Sequence, residues 1–186
     1  ILTALKQTCN HPAQFLSIKN PKISESGKME LLANILENIL DNDEKVIIFT
    51  QYVEMGKLIQ QLISKKFKQE VLFLHGSQTR EEKSRIIDTF QEDKNYKIFV
   101  ATLKTGGTGL NLTAAQNVIH YDLWWNPAVE NQATDRVHRI GQENDVMVYR
   151  FITKGTLEET IDAISKHKTD LAAKSISNDE TFLTEM

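Results

Sequence analysis

The pattern in this sequence best suited to chemistry is a pair of arginines one helical turn apart. They lie in residues 124–142, which read WWNPAVENQATDRVHRIGQ. If Asn126 caps a helix and Pro127 takes its first position, as helix starts prefer, four polar residues share one stripe of that helix. These four are Gln132, Asp135, Arg136 and Arg139. Planar, permanently charged guanidinium groups can clamp phosphate oxygens; the alternative is a solvated helix face whose Asp–Arg pair contributes little to stability.

A glycine-rich stretch is a second candidate. Residues 102–113 read TLKTGGTGLNLT, in which three glycines stand among threonines and one lysine. Glycine lets the backbone approach a phosphate closely while hydroxyl and amide groups donate hydrogen bonds to it. A flexible turn is the alternative interpretation. Two shorter polar stretches, TQY at 50–52 and HGSQTR at 75–80, also follow apolar runs.

Apolar runs that alternate with amphipathic stretches predict the elements that hold these loops. We predict strands at 45–50, 71–76, 97–102, 118–122 and 145–153. Helices are predicted at 26–40, 54–66, 79–90, from 126 through the arginines, and at 156–174. This alternation predicts an α/β fold, a parallel sheet with helices on both faces. Working loops of such sheets lie beyond the carboxyl ends of the strands, so the four candidate stretches should meet at one edge.

Capping and apolar residues predict how the helices are anchored. Thr79 with Glu82 predicts a capping box, and Thr156 with Glu159 predicts the start of the last helix. The helix of the arginines has an apolar stripe that can be buried. Its members are Val129, Ala133, Val137 and Ile140.

Composition bounds the class of protein. The 186 residues are 40% hydrophobic and carry a formal net charge of -3, which fits one domain and argues against a uniformly basic nucleic-acid binder. Cys9 is the single cysteine, and His11 has no partners at metal-ligand spacing, so we predict packing roles and no metal site. No apolar run is long enough for a membrane span and no signal layout is present, which predicts a soluble intracellular protein, cytoplasmic or in the nucleoid in a prokaryote and nuclear in a eukaryote.

Several strings resemble, in order and spacing, the sucrose-nonfermenting (Snf) family of superfamily-two helicases, which are double-stranded-DNA translocases. They are LKQTCNHP, SGKMELL, TGGTGLNLTAAQNVIHYDLWWNP and QATDRVHRIGQ, and the resemblance runs from Leu5 to about Ala173. It implies a RecA-like lobe in which Arg136 and Arg139 are arginine fingers and Gln132 helps to position the nucleotide phosphates. A phosphoryl-transfer transition state spreads charge over oxygens that such fingers stabilise, by about 10³-fold or more.

The resemblance also implies binding roles for residues of the other stretches. Those implied to lie towards the nucleotide are Gly107, Gly109, Asn111 and Asp135. Those implied to contact the DNA backbone are Thr50, Gln51, His75, Gly76, Thr102, Lys104, Thr105 and Gly106. Gln51 could equally order its loop. Trp124 and Trp125 resemble a family feature that anchors the loop ahead of the arginines, although stacking on an unpaired base is the alternative.

Two features of a complete ATPase are missing from the sequence. There is no GxxxxGK[ST] phosphate loop, and no acidic magnesium-binding motif ends a strand. We therefore expect the second of two lobes, with ATP and Mg²⁺ bound mainly by an N-terminal lobe that precedes Ile1. The expected division is a connecting segment at 1–25, the lobe at 26–155, a C-terminal helix at 156–174 and a tail at 175–186.

Two other functions remain open at this point. One is a lobe of a strand-separating superfamily-two helicase, against which the HRIGQ and WWNP strings argue. The other is a stand-alone nucleic-acid-binding module with a degenerate nucleotide cleft, against which the intact Gln132, Arg136 and Arg139 argue. The expected partners of the preferred function are double-stranded DNA and the N-terminal lobe, with no membrane.

Overall fold

A computed structural model of the chain describes residues 1–16, 18–102, 112–139 and 145–168. They form a five-stranded sheet in the order β2-β3-β1-β4-β5. The strands are β1 (Val46–Thr50), β2 (Val71–Leu74), β3 (Ile98–Thr102), β4 (Asn117–His120) and β5 (Met147–Arg150). The helices are α1 (Leu2–Asn10), α2 (Pro12–Leu16), α3 (Gly27–Asp41), α4 (Val53–Phe67), α5 (Arg80–Glu92), α6 (Pro127–Thr134) and α7 (157–168), with a 3-10 turn at Ile23–Glu25.

Every neighbouring pair of strands is parallel, which confirms the predicted sheet. The central strands β1, β3 and β4 are buried along their whole length because helices cover both faces. Pairing of Thr50 with Thr102 and of Phe49 with His120 brings the carboxyl ends of these strands level. The loops that follow them therefore emerge side by side.

Two hydrophobic cores lie on opposite faces of the sheet. Successive residues of β1 alternate between them, because side chains of a strand point to opposite faces: Ile48 packs with α3 and α4, and Phe49 packs with α5 and α6. The predicted burial of Ala133 and Val137 on α6 and the turn that follows it is confirmed, at 1% and 0% exposure. Helices on both faces are thus held by apolar contact with one sheet.

Side-chain caps start three of the helices, and the sequence predicted those of α5 and α6. Ser26 accepts a hydrogen bond from the Met29 amide at the start of α3. Thr79 and Glu82 form the predicted capping box of α5. The Asn126 side chain accepts from the Ala128 amide 3.1 Å away, with Pro127 at the first position of α6. These caps satisfy amide groups that the helices cannot.

The prediction that α6 continues through the arginines is wrong. The helix ends at Thr134, and the chain tightens into turns in which the Arg136 amide donates to the Ala133 carbonyl and the Val137 amide to the Thr134 carbonyl. Burial of Val137 holds this tighter path against the core. Gln132 therefore lies on the helix, whereas Arg136 and Arg139 lie on the turn that follows it.

His11 links the first two helices and has the structural role predicted for it. Its ring is fully buried, its Nδ1 accepts from the Ala13 amide at 3.0 Å, and its Nε2 lies 3.0 Å from the Lys22 carbonyl oxygen. The ring thereby fixes the path from α1 to the start of α3. Among the helices of the described residues, none is both long and apolar enough to cross a membrane.

Candidate functional site

Predicted site residues at the ends of β1 and β3 and after β2 lie at the carboxyl edge of the sheet, together with Asp122, which the sequence did not single out. Thr50 ends β1, His75 follows β2, Thr102 ends β3, and Asp122 lies two residues after β4. Six of the predicted residues, Lys104, Thr105, Gly106, Gly107, Gly109 and Asn111, lie outside the described residues, as does Ile140. Two groups of side chains organise the rest of the candidate site.

The Asp122 carboxylate is the centre of the first group. Asp122 is 1% exposed and accepts from the Thr50 hydroxyl at 2.5 Å, the Gln51 amide at 2.9 Å and the Gln51 Nε2 at 2.8 Å. Gln51 Nε2 also donates to the Leu123 carbonyl at 2.7 Å. Burial raises the pKa of Asp122, while the Thr50 hydroxyl and the charge of Lys28 act to lower it. These bonds tie the loop after β1 to the loop after β4.

This geometry changes the interpretation of two predicted DNA-contacting residues. Thr50 is 0% exposed and its hydroxyl is bound to Asp122, so it has no surface with which to meet DNA. Gln51 is half-buried and takes the loop-ordering role that the sequence left as the alternative. In the sequence, Thr50 and Gln51 look like donors exposed at the end of a strand. Their acceptor, Asp122, lies more than 70 residues further along the chain, so the sequence alone does not reveal it.

Sequence reasoning missed the polar layer beneath Asp122. Lys28, at the start of α3, donates to the Tyr121 carbonyl at 3.1 Å and forms a buried ion pair with Glu158 of α7. Asn10 of α1 donates to Asp122 at 3.3 Å, and the Lys6 ammonium donates to the Leu123 carbonyl at 2.7 Å. The layer joins α1, α3 and α7 to the loop after β4.

The loop after β2 presents backbone and hydroxyl groups at the surface. The half-buried His75 ring packs on Phe73 at 4.9 Å, and its Nδ1 lies 2.8 Å from the Ser77 hydroxyl. Gly76 is exposed with open space where a Cβ would stand, and its carbonyl accepts from Lys83 at 3.3 Å. Lys83, which sequence reasoning missed, adds a positive charge to this loop. Thr102, on the neighbouring β3, is 4% exposed.

The two arginines form the second group. Arg136 is half-buried and Arg139 is exposed, and within residues 1–16, 18–102, 112–139 and 145–168 neither guanidinium forms an ion pair with a carboxylate. Burial, and then the positive charge of Arg139, lower the pKa of Arg136. The Arg136 carbonyl accepts from the Leu112 amide at 3.1 Å. Two like charges thus lie on a turn whose backbone is bonded to Leu112, within the glycine-rich stretch, and such a pair of charges favours an anion.

Charged side chains also hold the start of α6. Glu130, 4% exposed, accepts from the Trp124 amide through Oε1 at 2.8 Å and from Arg150 Nε through Oε2 at 2.8 Å. Trp124 is half-buried, which agrees with the predicted anchoring of this loop. Trp125 is 39% exposed, and the Lys6 ammonium lies 5.9 Å from its ring centroid.

His120 packs against the last turn of α6, and the sequence did not single it out. Its ring is 1% exposed, stacks on Phe49 at 5.6 Å, and brings Nε2 to 3.0 Å from the Thr134 hydroxyl. Burial lowers the pKa of His120 to about 4. The ring is therefore neutral at pH 7 and supports the last turn of α6 without adding charge to it.

The buried His120 ring predicts a pH dependence of stability. Its pKa is about 4 in the folded chain and 6.5 in the unfolded chain, so between these values the unfolded state binds the extra proton. Stability therefore falls as the pH falls through this window, and we expect the free energy of unfolding to drop by about 2 kcal/mol from pH 7 to pH 5 through this group. Urea unfolding at the two pH values measures the drop, and His120→Gln should remove that part of it. An equal drop in the variant would contradict the assignment.

The chain is similar in sequence to a known protein family and to helicases and remodelling ATPases of several organisms. Residues 27–141 match the family described as helicase conserved C-terminal domain. YwqA of Bacillus subtilis, by name an ATP-dependent helicase/translocase, is 46% identical over 100% of this chain and 20% of its own length. The chromatin-remodeling ATPase INO80 of Schizosaccharomyces pombe is 39% identical over 86% of this chain and 10% of its own length. The chain thus spans a fifth or less of these curated relatives.

Two solved structures of similar fold are proteins of Sulfolobus solfataricus. The SWI2/SNF2 ATPase core in complex with double-stranded DNA has a TM-score of 0.80 and 42% identity, covering 100% of this chain and 38% of that one. The SWI2/SNF2 ATPase C-terminal domain has a TM-score of 0.76 and 42% identity, covering 90% of this chain and 67% of that one. Similarity of sequence and of fold therefore agree over nearly the whole chain.

Proposed function

The chain belongs to the helicase conserved C-terminal domain family as the C-terminal lobe of a Snf2-type helicase, and from this premise we propose that it completes an ATP site between two lobes of a double-stranded-DNA translocase. The observation that carries the proposal is the pair of guanidinium groups of Arg136 and Arg139, which the described residues leave without a carboxylate. We call the protein in which a nucleotide-binding lobe precedes this chain the two-lobe protein.

In this proposal Arg136 and Arg139 are the arginine fingers. When the lobes close on ATP, the two guanidinium groups meet the phosphates and stabilise the charge that develops on the transferred phosphoryl group. Arg136 is the more buried of the pair and is held through its backbone by Leu112, whereas Arg139 is exposed and free to reach across the cleft. Gln132 helps to position the phosphates.

The nucleotide-facing residues of the proposal come from two stretches of the chain. Asp135 is exposed at the end of α6, next to the fingers. The others belong to the glycine-rich stretch, where glycines let the backbone approach the nucleotide and its ribose closely. They are Gly107, Gly109 and Asn111.

The DNA-facing residues of the proposal lie in the loops after β2 and β3. His75 is half-buried and Gly76 is exposed in the loop after β2, and Lys83, which donates to the Gly76 carbonyl, supplies a positive charge that attracts phosphates. The proposal also keeps the assignment of Thr102, which ends β3 and is 4% exposed, and of Lys104, Thr105 and Gly106, which lie outside the described residues. Thr50 and Gln51 position the neighbouring loop through Asp122. Backbone contacts of this kind hold DNA without reading its sequence, as a translocase requires.

The described residues of this chain fit the phosphates of ATP, and no cluster among them fits its metal. Paired guanidinium groups suit phosphate oxygens. Mg²⁺ prefers carboxylate oxygens and water, and the described part of the chain holds no group of three His, Cys, Asp or Glu side chains that could bind a metal ion. In the proposal the metal therefore belongs mainly to the N-terminal lobe.

The organisation of the chain in this proposal follows the division made from sequence. Residues 1–25 connect the two lobes, 26–155 form the lobe, 156–174 form a C-terminal helix and 175–186 a tail. Closing and opening of the cleft move the two lobes along a duplex, because the lobe that carries the fingers also carries the DNA-facing loops. Such a motor works inside the cell, where ATP and duplex DNA are found.

Because the chain supplies only one side of the proposed ATP site, we predict that the isolated chain is inactive. We expect it to hydrolyse ATP no faster than buffer, with or without duplex DNA, whereas the two-lobe protein should show DNA-stimulated turnover. Steady-state phosphate release on both proteins measures this difference. If the purified isolated chain hydrolyses ATP and Arg139→Ala abolishes that activity, this lobe contains a complete ATP site and the proposal is overturned.

A further inference from the structure

A chain of four charged side chains connects the helix ahead of the fingers to the last helix. Glu130 of α6 pairs with Arg150 at the end of β5, at 2.8 Å. The same guanidinium pairs with Asp162 of α7 at 2.7 Å, and Asp162 also pairs with Lys166 at 2.8 Å. Three elements that are distant in sequence are thereby joined through one arginine.

Glu130 and Arg150 are both fully engaged with their partners in this series of charged side chains. Glu130 is 4% exposed and uses its second oxygen for the Trp124 amide, so it fixes the loop ahead of α6 as well as the helix. Arg150 binds two carboxylates through two different nitrogens, which a planar guanidinium can do and a single ammonium cannot. Burial acts to lower the pKa of Arg150, but the bonds to Glu130 and Asp162 raise it above its usual value.

Apolar packing does not fix α6 on this side. A cavity of about 380 Å³ separates α6 from β5 and α7, and its lining includes Asn131, Thr134 and Asp135 together with Arg150 and Lys166. On this side the end of α6, from which the fingers follow, borders the cavity, while Ala133 packs on the sheet and Thr134 contacts His120. Its position relative to α7 therefore depends on the charged chain, and on the bond from Lys168 to the Trp125 carbonyl at 3.3 Å.

We propose that Glu130 and Arg150 are positioning residues for the arginine fingers: by holding α6 against β5 and α7 they place Arg136 and Arg139 for the transition state. This inference rests on the proposed function. Neither residue touches the nucleotide, and both act through the segment that carries the fingers. A displacement of about 1 Å at a reacting centre can cost on the order of 10²-fold in rate, so a modest loosening of α6 is enough to be measured.

The test is a double-mutant cycle in the two-lobe protein. Arg150→Gln is expected to lower DNA-stimulated kcat about 10-fold with the KM for ATP and the affinity for duplex DNA unchanged, because placement rather than binding is lost. In an Arg139→Ala background the same change should lower kcat by less than about 2-fold, because residues that act as a unit are not additive. Glu130→Gln, of the same size as Glu130, should behave in the same way.

Lys97→Gln is the matched control. It removes the ion pair between Lys97, which directly precedes β3, and Asp43, whose side chain is 86% exposed. This pair lies at the amino ends of the strands, and its loss should leave kcat unchanged. If Arg150→Gln lowers kcat equally with and without Arg139, or does not lower it at all, the positioning role is overturned, but the proposed role of the fingers is not. No loss from Arg139→Ala itself would overturn the proposed function and this inference together.

Discussion

Replacement of Arg139 by alanine is expected to lower the DNA-stimulated ATP turnover of the two-lobe protein at least about 10²-fold, the scale of losing a clamp on a phosphoryl-transfer transition state. The lobe should remain folded. Arg139 is exposed and has no carboxylate partner in the part of the chain that the structure describes, so the truncation removes no buried contact. Phosphate release at saturating duplex DNA gives the rate, and a thermal melt of the lobe reports its folding.

Arg85→Ala is the matched control for this result. Arg85 is also an exposed arginine, but it lies in the middle of α5, outside the segments proposed to contact ATP. Its truncation removes the same charge and should leave turnover unchanged. If Arg139→Ala instead melts the lobe early and slows turnover only in proportion to the unfolded fraction, Arg139 is a structural residue and its role as a finger is wrong.

Replacement of Val137 by aspartate is expected to unfold the lobe. Val137 is 0% exposed in the core that contains Phe90, Phe99 and Ala133. An unpaired carboxylate there costs several kcal/mol or is neutralised at similar cost, which is comparable with the roughly 5–15 kcal/mol that stabilises a whole domain. Urea unfolding followed by far-ultraviolet circular dichroism measures the loss.

His138→Asp separates burial from charge in this experiment. His138 is the neighbouring residue and is exposed, so the same new carboxylate should change stability by less than about 0.5 kcal/mol. Val137→Asp with a wild-type midpoint would show that the turn after α6 does not anchor the fingers in the core. The two variants also differ from Arg139→Ala, which should stop chemistry without unfolding.

Most of the fold could be predicted because its signals are local. The strands are apolar runs buried on both faces, and the caps at Ser26, Thr79 and Asn126 act within three residues of themselves. The strand order β2-β3-β1-β4-β5 could not be predicted from those patterns, since it depends on pairing between segments far apart in the chain. The end of α6 was missed for a related reason. No proline or glycine marks Thr134, and burial of Val137 together with the bond from Leu112 to Arg136 decides the path.

The candidate site divides in the same way. Arg136 and Arg139 stand out in the sequence because their type, spacing and surrounding string all point to phosphate chemistry. Asp122, Lys28 and Glu158 do not, because isolated charged residues look solvent-exposed until their partners are known. Lys28 and Glu158 are separated by 130 positions and meet only when α3 and α7 pack at the same edge. Glu130 and Arg150, which the structure joins across α6 and β5, were missed on the same ground.

The most direct measurement of the central claim is the position of the fingers in the closed state. A structure of the two-lobe protein with duplex DNA, ADP and a planar mimic of the transferred phosphoryl group would give it. We expect guanidinium nitrogens of both Arg136 and Arg139 at hydrogen-bonding distance, about 3 Å, from the mimic or from the phosphate next to it. If the cleft is closed on the mimic and both guanidinium groups point into solvent or onto DNA instead, this lobe does not complete the ATP site.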